Sequence, residues 1–355
     1  MKKDKTKALI ILSPGFPENE ADTSFIPPQH IFVNALKEVA PNLHVLVLTL
    51  QYPYFSGKYR WYGVSVVAFG GKNKGKIYRF FTGFRVWLVL RRLRKKYELI
   101  GLLSFWLGKS AWIGKLFGDC YHIPHYCWLL GQDAKKGNKY YAKAKWKADS
   151  LIALSDFIVR EFAANYQVIP QHIIPVGIDP RLFGDKRTRR EIDILGVGSL
   201  IPIKQYEVFL SVIKSLQSSF PDIKVLICGE GPERARLSTL IHHLGLAENV
   251  TLIGKLEYPQ VLEWMQRSRI LLHTSSYEGF GAVCLEALYA GAHVVSFVRP
   301  MDVEIPKWKQ VDNQGSMVKE VENILNSPTI DHEPVMLYPI QQNAKTMLGL
   351  FGYHI

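Results

Sequence analysis

Two glutamates lie close together in the segment Ser275–Val295, SSYEGFGAVCLEALYAGAHVV. Glu278 falls in a glycine-containing loop, and Glu286 falls inside an apolar helix pattern that stops at Gly291. The apolar run His293–Val298 follows and predicts a buried strand. The segment therefore predicts a strand–loop–helix–strand unit with one carboxylate in its loop and one in its helix.

The predicted start of this helix is suited to bind an anion. The amides of Phe280, Gly281 and Ala282 lie there, and the first amides of a helix have no intrahelical partners. The helix dipole also favours negative charge at this end. We therefore expect a phosphate site beside Glu278 and Glu286, where one carboxylate meets sugar hydroxyls and the other a ribose diol.

The spacing of the two glutamates and its apolar frame resemble a known family. Retaining, nucleotide-sugar-dependent glycosyltransferases of the GT-B fold, the group 1 family, have a Glu, seven residues and a second Glu in the setting E-G-F/C-G-x-x-x-x-E-A. This chain matches with Glu278, Glu286, Ala287 and Gly291. The resemblance implies that Glu278 is catalytic and lies near the donor sugar, and that Glu286 and the amides of residues 280–282 bind the donor.

Other parts of the second half resemble the same family. The stretch Gly198–Gln205, GSLIPIKQ, corresponds to G-R-L-x-x-x-K-G, with Lys204 kept and Ser199 in place of the arginine. The resemblance implies that Lys204, Ser199 and Gly198 bind the donor's diphosphate, whose charge grows in the transition state. It adds three further donor-binding positions: Gly229, Gly231 and Leu256. A dinucleotide-binding fingerprint is rejected because Ile201 replaces its third glycine.

The first half resembles the family more weakly. Leu129–Asp133, LLGQD, stands where the family often has H-G-x-D, with Leu130 in place of the histidine. The resemblance implies a catalytic role for Asp133 and a donor-facing loop at Gly15. The stretch Ile173–Phe183, IIPVGIDPRLF, matches the family's crossing into its second domain.

Short apolar strands alternate with helices in both halves, which indicates two doubly wound α/β domains. The resemblance implies a GT-B architecture, in which two Rossmann-like domains face a cleft. We expect an acceptor-binding domain at residues 1–178 and a nucleotide-sugar-binding domain at 179–338. A C-terminal helix at 339–355 is expected to pack on the first domain.

Several elements are predicted from apolar patterns and turn residues. The expected strands of the first half include Lys7–Leu12, His44–Leu50 and Trp61–Phe69. No regular period is visible in Ser13–Pro28, and Asp185–Glu191 reads as the linker. The segment Val298–Lys319 has no assigned role.

Composition indicates a globular protein of a reducing compartment. The 355 residues are 48% hydrophobic, and the four cysteines show no C-x-x-C spacing. A disulfide framework is therefore not expected. The apolar core of the first segment, Ala8–Leu12, is too short for a signal peptide, and no apolar run approaches the roughly 18 residues that span a bilayer. We expect a cytoplasmic protein, with peripheral attachment to the inner face of the membrane as one alternative.

Positive charge is concentrated in the first half, where residues 1–150 hold 25 Lys+Arg and 9 Asp+Glu. The stretch Lys74–Glu98 combines helically spaced apolar residues with many cations. Its apolar residues are Ile77, Phe80, Phe81, Phe84, Trp87 and Leu88, and its cations include Lys76, Arg79, Arg85, Arg91, Arg92, Arg94, Lys95 and Lys96. This pattern fits a helix on an anionic membrane surface. The alternative is a helix packed on the sheet with a solvated basic face. Nucleic acid is not expected, because no binding module accompanies the charge.

The resemblance implies transfer of a sugar from a UDP or GDP sugar to a saccharide or lipid-linked acceptor, in bacterial surface-polysaccharide or glycolipid assembly. It implies retention at the anomeric carbon. No Asp-x-Asp occurs in the sequence, which fits metal independence, and no cofactor is expected besides the donor as co-substrate. The alternative is a catalytically weak GT-B subunit that binds a partner or membrane, favoured by the departures at Leu130 and Ser199 and by the altered segment after Pro300.

Overall fold

The structure is a computed structural model that describes residues 5–23, 25–71, 75–184 and 189–355. The chain forms two compact units, Met1–Gly177 with Tyr338–Ile355, and Ile178–Leu337. Both are built from strands alternating with helices. Lys74, where the basic helix was predicted to begin, and residues 185–188 of the predicted linker lie outside the described residues.

The first unit contains one mixed sheet. Its strands within the described residues are β1 (Lys7–Gly15), β2 (His44–Tyr52), β3 (Ser56–Trp61), β4 (Val64–Phe69), β5 (Glu98–Phe105), β6 (His125–Leu129), β7 (Leu151–Ala153) and β8 (His172–Ile173). They are ordered β3-β4-β2-β1-β5-β6-β7-β8, and all pairings are parallel except that of β3 with β4. The central strand β1 is apolar without alternation because both of its faces are covered, and Ala8–Leu12 are fully buried.

Helices cover this sheet. They are α1 (Pro27–Val39), α2 (Lys76–Lys96), α3 (Lys109–Tyr121), α4 (Lys139–Ala142) and α5 (Asp156–Tyr166). Ser155 begins α5 by accepting a hydrogen bond from the amide of Ile158 at 3.2 Å, the usual role of a helix-capping serine.

The helix α2 packs on the sheet through its middle and carboxyl half, where Trp87 also contacts Phe117 of α3. Val86 and Leu90, one turn apart, are fully buried and join the core of the first unit. The aromatic residues at its amino end face solvent instead. The exposed cluster consists of Ile77 (76% exposed), Phe80 (74%), Phe81 (56%) and Phe84 (55%). None of the described helices combines the length and apolar character needed to cross a bilayer.

Two predictions for the first unit are corrected by the structure. The first strand extends to Gly15, beyond the predicted end at Leu12. The single strand predicted at Trp61–Phe69 is wrong, because β3 and β4 form an antiparallel hairpin there. Tyr62 and Gly63 make its turn with φ of 43° and 79°, the positive angles that tight hairpin turns require.

The second unit contains one parallel sheet in the part of the chain that is described. Its strands are β9 (Ile192–Val197), β10 (Val225–Cys228), β11 (Val250–Gly254), β12 (Ser268–His273), β13 (His293–Ser296) and β14 (Trp308–Gln310), ordered β11-β10-β9-β12-β13-β14. Its helices are α6 (Tyr206–Gln217), α7 (Arg234–His243), α8 (Tyr258–Gln266), α9 (Ala282–Tyr289) and α10 (Gln314–Leu325). The unassigned segment Val298–Lys319 thus contains the edge strand β14, and the indole of Trp308 donates to Ser296 Oγ at 2.8 Å.

The last helix, α11 (Ile340–Leu350), belongs to the first unit. Asn343 donates from its side chain to the carbonyl of Pro175 at 2.8 Å, and Tyr126 donates its hydroxyl to the carbonyl of Leu350 at 2.9 Å. These hydrogen bonds connect positions 168 and 224 residues apart, so α11 fastens the end of the chain onto the first unit.

Candidate functional site

The loop between β12 and α9 is fastened to the turn that follows β9. Thr274 donates its hydroxyl to the carbonyl of Lys204 at 2.8 Å, and the amide of Ser276 donates to the carbonyl of Ile203 at 3.0 Å. Lys204 ends a short 3₁₀ turn, Pro202–Lys204. These two hydrogen bonds bring Lys204 next to Glu278, although 74 residues separate them in the chain.

Glu278 lies in a cluster of polar groups. Its Oε1 accepts a hydrogen bond from Lys204 Nζ in a half-buried ion pair. Ser275 Oγ donates to the same oxygen at 3.2 Å, and Nε2 of the buried His273 lies 3.2 Å from it. Burial alone would raise the pKa of Glu278, but the His273 ring and the Lys204 ammonium outweigh it and lower the pKa to about 2. Glu278 is therefore a carboxylate at neutral pH.

Glu286 has the opposite environment. It lies on α9, a helix whose residues are almost all buried, and accepts a hydrogen bond from the Tyr258 hydroxyl at 2.9 Å. Burial raises the pKa of Glu286 to about 7, while the hydrogen bond from Tyr258 lowers it only in part. A carboxyl group that is half protonated near neutral pH can both accept and donate hydrogen bonds, as recognition of a sugar diol requires.

The start of α9 lies between these two carboxyl groups in sequence. Gly281 has φ of 73° and turns the chain into the helix, while the Phe280 ring is buried behind it. Backbone amides at the first turn of a helix lack intrahelical acceptors. The amides of Gly281 and Ala282 therefore offer the electropositive end of α9 next to the Lys204–Glu278 pair.

The glycines of the neighbouring loops are required by backbone packing. A Cβ at Gly229 would lie 1.8 Å from the carbonyl oxygen of Gly198, and one at Gly231 would lie 2.3 Å from that of Leu200. The loops after β9 and β10 are thus pressed together, which accounts for both glycines without a ligand. The side chain of Ser199 is exposed on this surface, and that of Leu256, after β11, is half-buried.

The predicted donor-binding residues of the second half share one edge of the second sheet. Lys204, Glu278 and the loops of Gly198, Gly229 and Leu256 follow the carboxyl ends of β9, β12, β10 and β11. Parallel α/β sheets bind their ligands outside the carboxyl ends of their strands. The second unit alone therefore assembles a cluster of charged side chains at the edge where such a fold binds ligands.

Asp133 and Gly15 lie in the first unit. Asp133 is buried and its Oδ2 accepts the amide of Leu130 at 2.8 Å. Burial raises the pKa of Asp133 to about 7, against amide hydrogen bonds from Leu130 and Leu107. This geometry gives Asp133 a role in closing its own turn, and its catalytic role stays a prediction. Gly15 ends β1 beneath Phe25, whose ring would lie 2.6 Å from an added Cβ.

Sequence reasoning missed three residues of the site. His273 and Ser275 surround the Glu278 carboxylate, and Tyr258 holds Glu286. A signal for His273 and Tyr258 was present. His273 is the last residue of its strand and Tyr258 the first of its helix, both positions at the carboxyl edge of a parallel sheet.

Comparison with known proteins also points to the second unit, which contains the Lys204–Glu278 pair. Residues 183–328, most of the second unit, match the family model of glycosyl transferases group 1. A human component of phosphatidylinositol N-acetylglucosaminyltransferase is 33% identical over 136 residues, which are 38% of this chain and 28% of that protein. A Campylobacter jejuni N-acetylgalactosaminyltransferase, named for an undecaprenol-diphosphate-linked acceptor, is 28% identical over 192 residues, 50% of this chain and 51% of that protein. The chain thus spans only a quarter to a half of these relatives.

Solved structures resemble the whole chain. Sucrose-phosphate synthase from Thermosynechococcus elongatus superposes with a TM-score of 0.69 at 17% identity, covering 98% of this chain and 95% of that one. Anabaena HepE in complex with UDP-glucose superposes with a TM-score of 0.67 at 16% identity, covering 96% and 94%. These likenesses establish the fold. The chain thus has the GT-B fold, and its residues 183–328 match the family model of glycosyl transferases group 1.

Proposed function

We propose that this chain is a retaining, metal-independent glycosyltransferase that moves a hexose-type sugar from a UDP or GDP sugar to a saccharide or lipid-linked acceptor. The observation that carries the proposal is the Lys204–Glu278 ion pair at the carboxyl edge of the second sheet, inside the region that matches the family model. Its cation and carboxylate are the two charges that a departing diphosphate and a reacting sugar need.

Each residue of the pocket has a proposed task. Lys204 and the first amides of α9 neutralise the leaving diphosphate, since fixed cations and amide dipoles stabilise charge that develops in the transition state. Glu278, held as a carboxylate, positions the donor sugar. Glu286 binds the ribose diol, supported by Tyr258. The departing phosphate takes the proton of the acceptor hydroxyl on the same face of the sugar.

The acceptor and the site of action are also part of the proposal. The relatives named above have phosphatidylinositol and an undecaprenol-linked saccharide in their names, so we propose a lipid-linked acceptor in the assembly of a surface polysaccharide or glycolipid. The exposed cluster on α2 supports attachment to an anionic membrane surface. We propose that the first unit contacts the acceptor, and that the protein works in the cytoplasm on the inner face of the membrane.

Release of nucleotide from the donor tests the reaction. Wild-type protein is incubated with UDP-N-acetylglucosamine, UDP-glucose and GDP-mannose, each with an undecaprenyl-diphosphate saccharide or phosphatidylinositol, with and without EDTA. We expect acceptor-dependent nucleotide release that EDTA leaves unchanged, and an α-linked product from an α-linked donor by NMR.

The variant Glu278→Gln separates catalysis from folding. Removing a carboxylate that acts in the transition state lowers turnover by about 10²–10³-fold, while the amide keeps the size of the side chain.

Donor binding without turnover by wild type would favour the alternative of a catalytically weak binding protein. Formation of a β-linked product would contradict retention.

A further inference from the structure

The first unit contains a groove whose lining includes none of the candidate site residues. It runs between the carboxyl half of α2 and the β3–β4 hairpin, with a volume of about 400 Å³. Its floor is apolar and includes Leu46, Val67, Val89 and Leu93. Four cationic side chains also line it, Lys58, Arg60, Arg92 and Lys96, and its lining contains no Asp or Glu among the described residues.

The secondary structure makes these four cations converge. Lys58 and Arg60 are two positions apart on the edge strand β3, so their side chains leave the same face. Arg92 and Lys96 are four positions apart on α2 and lie one above the other. Val89 and Leu93 occupy the same spacing beside them. The pattern thus places an apolar stripe between two pairs of charges.

The four cations are not neutralised within the described part of the chain. None of them forms an ion pair with a carboxylate there, and Lys96 Nζ lies over the Tyr97 ring, 4.9 Å from its centroid. Their field reaches a neighbouring group. Burial and then the charges of Lys96 and Arg60 lower the pKa of His44 at the start of β2.

Four like charges around one cavity repel each other, so the arrangement is stabilised when an anion binds. An inorganic anion would use only the cationic rim. The apolar floor adds surface that an alkyl chain covers, at roughly 25 cal/mol for each Å² removed from water. The chemistry of the groove therefore fits a molecule with a phosphate ester at one end and hydrocarbon at the other.

We propose that this groove binds the phosphate ester headgroup of an anionic lipid, with the start of its hydrocarbon over Val89 and Leu93. This binding site would add a specific contact to the proposed attachment to an anionic surface, and it does not depend on sugar transfer. Arginine and lysine beside an anionic headgroup each strengthen binding, and Arg92 can bind a phosphate through two parallel hydrogen bonds.

The test uses a lipid that stays monomeric, so that a bilayer surface plays no part. Dihexanoyl phosphatidylglycerol below its micellar concentration is titrated into the full chain by calorimetry. We expect saturable binding by wild type that is about tenfold weaker or more in the double variant Arg92→Gln/Lys96→Gln, because two headgroup contacts are lost.

The matched control is Arg91→Gln/Lys95→Gln. It removes the same charge from the same helix, also four positions apart, at exposed residues that do not line the groove. We expect it to bind the lipid like wild type. An equal loss in both double variants would overturn the groove in favour of general attraction between charges, as would the absence of saturable binding by wild type.

Two further binding measurements distinguish a lipid phosphate from free inorganic phosphate. Inorganic phosphate alone should bind at least tenfold more weakly than the short-chain lipid, since it does not use the apolar floor. Equal affinity for both would overturn the lipid assignment. Vesicles of phosphatidylcholine with phosphatidylglycerol should bind wild type more tightly than Arg92→Gln/Lys96→Gln, and equal binding of the two proteins would contradict the proposal.

Discussion

Glu278 and Glu286 lie in one loop–helix segment, yet their surroundings act in opposite directions on their charge. His273 and Lys204 lower the pKa of Glu278 to about 2, whereas burial raises that of Glu286 to about 7. Paired carboxyl groups whose environments separate their pKa values are characteristic of functional sites. The motif spacing predicted both residues. It could not predict their protonation, which depends on Lys204 and Tyr258 from other parts of the chain.

The raised pKa of Glu286 predicts a pH-dependent stability. The folded state holds this proton up to about pH 7, against an ordinary pKa of 4.5. Glu286 therefore makes its full contribution to the free energy of unfolding below pH 4.5. This contribution, roughly 3 kcal/mol in total, is lost as pH rises through 7. Glu286→Gln lacks this titration. The free energy of unfolding of the variant minus that of wild type should therefore increase by about this amount between pH 4.5 and pH 8.

Urea denaturation of both proteins across this pH range checks the difference. Other groups that titrate here, such as Asp133, are present in both proteins and cancel in the comparison. A difference that stays constant with pH would mean that Glu286 has an ordinary pKa in the folded protein.

At the scale of elements, the sequence pattern predicted most strands and helices but not all of their ends. β2 was predicted from His44 to Leu50, because its Val and Leu content is typical of a buried strand, and the structure extends it to Tyr52. The β3–β4 hairpin was missed. Tyr62-Gly63 is a weaker turn signal than Asn-Gly, and the polar strand β3 has little apolar pattern to detect.

The aromatic pattern of α2 predicted a helix with an apolar face, and the structure leaves Phe80, Phe81 and Phe84 of that face in solvent while Trp87 packs against the core. We expect Phe80→Ala/Phe84→Ala to weaken binding to anionic vesicles while changing the free energy of unfolding by less than about 0.5 kcal/mol per site, since neither side chain is buried. Leu90→Ala, on the buried face, should cost roughly 2–5 kcal/mol. Vesicle co-sedimentation and urea denaturation measure the two effects. A large stability loss in the double variant would show that the cluster packs against protein.

Replacing glycine by alanine is expected to destabilise the protein by different amounts in two loops of the site. Gly281→Ala meets no close atom, since the nearest is Cys284 Sγ at 3.5 Å, but its φ of 73° costs roughly 1–2 kcal/mol. Gly229→Ala would put Cβ 1.8 Å from a backbone oxygen, so the loop must move. We therefore expect Gly229→Ala to destabilise the protein more than Gly281→Ala in thermal denaturation. The reverse order would contradict the tight packing of the two loops.

At the scale of the whole molecule, the alternation of strands and helices predicted two α/β units. The two units differ in their charge. The excess of cations in residues 1–150 lies in the first unit, where four of them line the groove beside α2. The second unit holds the matched family region. Composition located the charge in the first half but could not locate the groove, because Lys58 and Arg92 line one groove only once α2 packs on the sheet that contains β3.

The central claim is that the carboxyl edge of the second sheet binds a nucleotide sugar through Lys204. Thermal denaturation with UDP, GDP, ADP and CMP and their common sugars tests it most directly, using wild type, Lys204→Met and the control Lys224→Met, a lysine that precedes β10 at the opposite edge. A ligand at about 100 times its dissociation constant adds about 2.7 kcal/mol of stability, a shift of several degrees. We predict a shift by one nucleotide class that Lys224→Met keeps and Lys204→Met loses. An equal shift in all three proteins, or none with any nucleotide, would contradict the account.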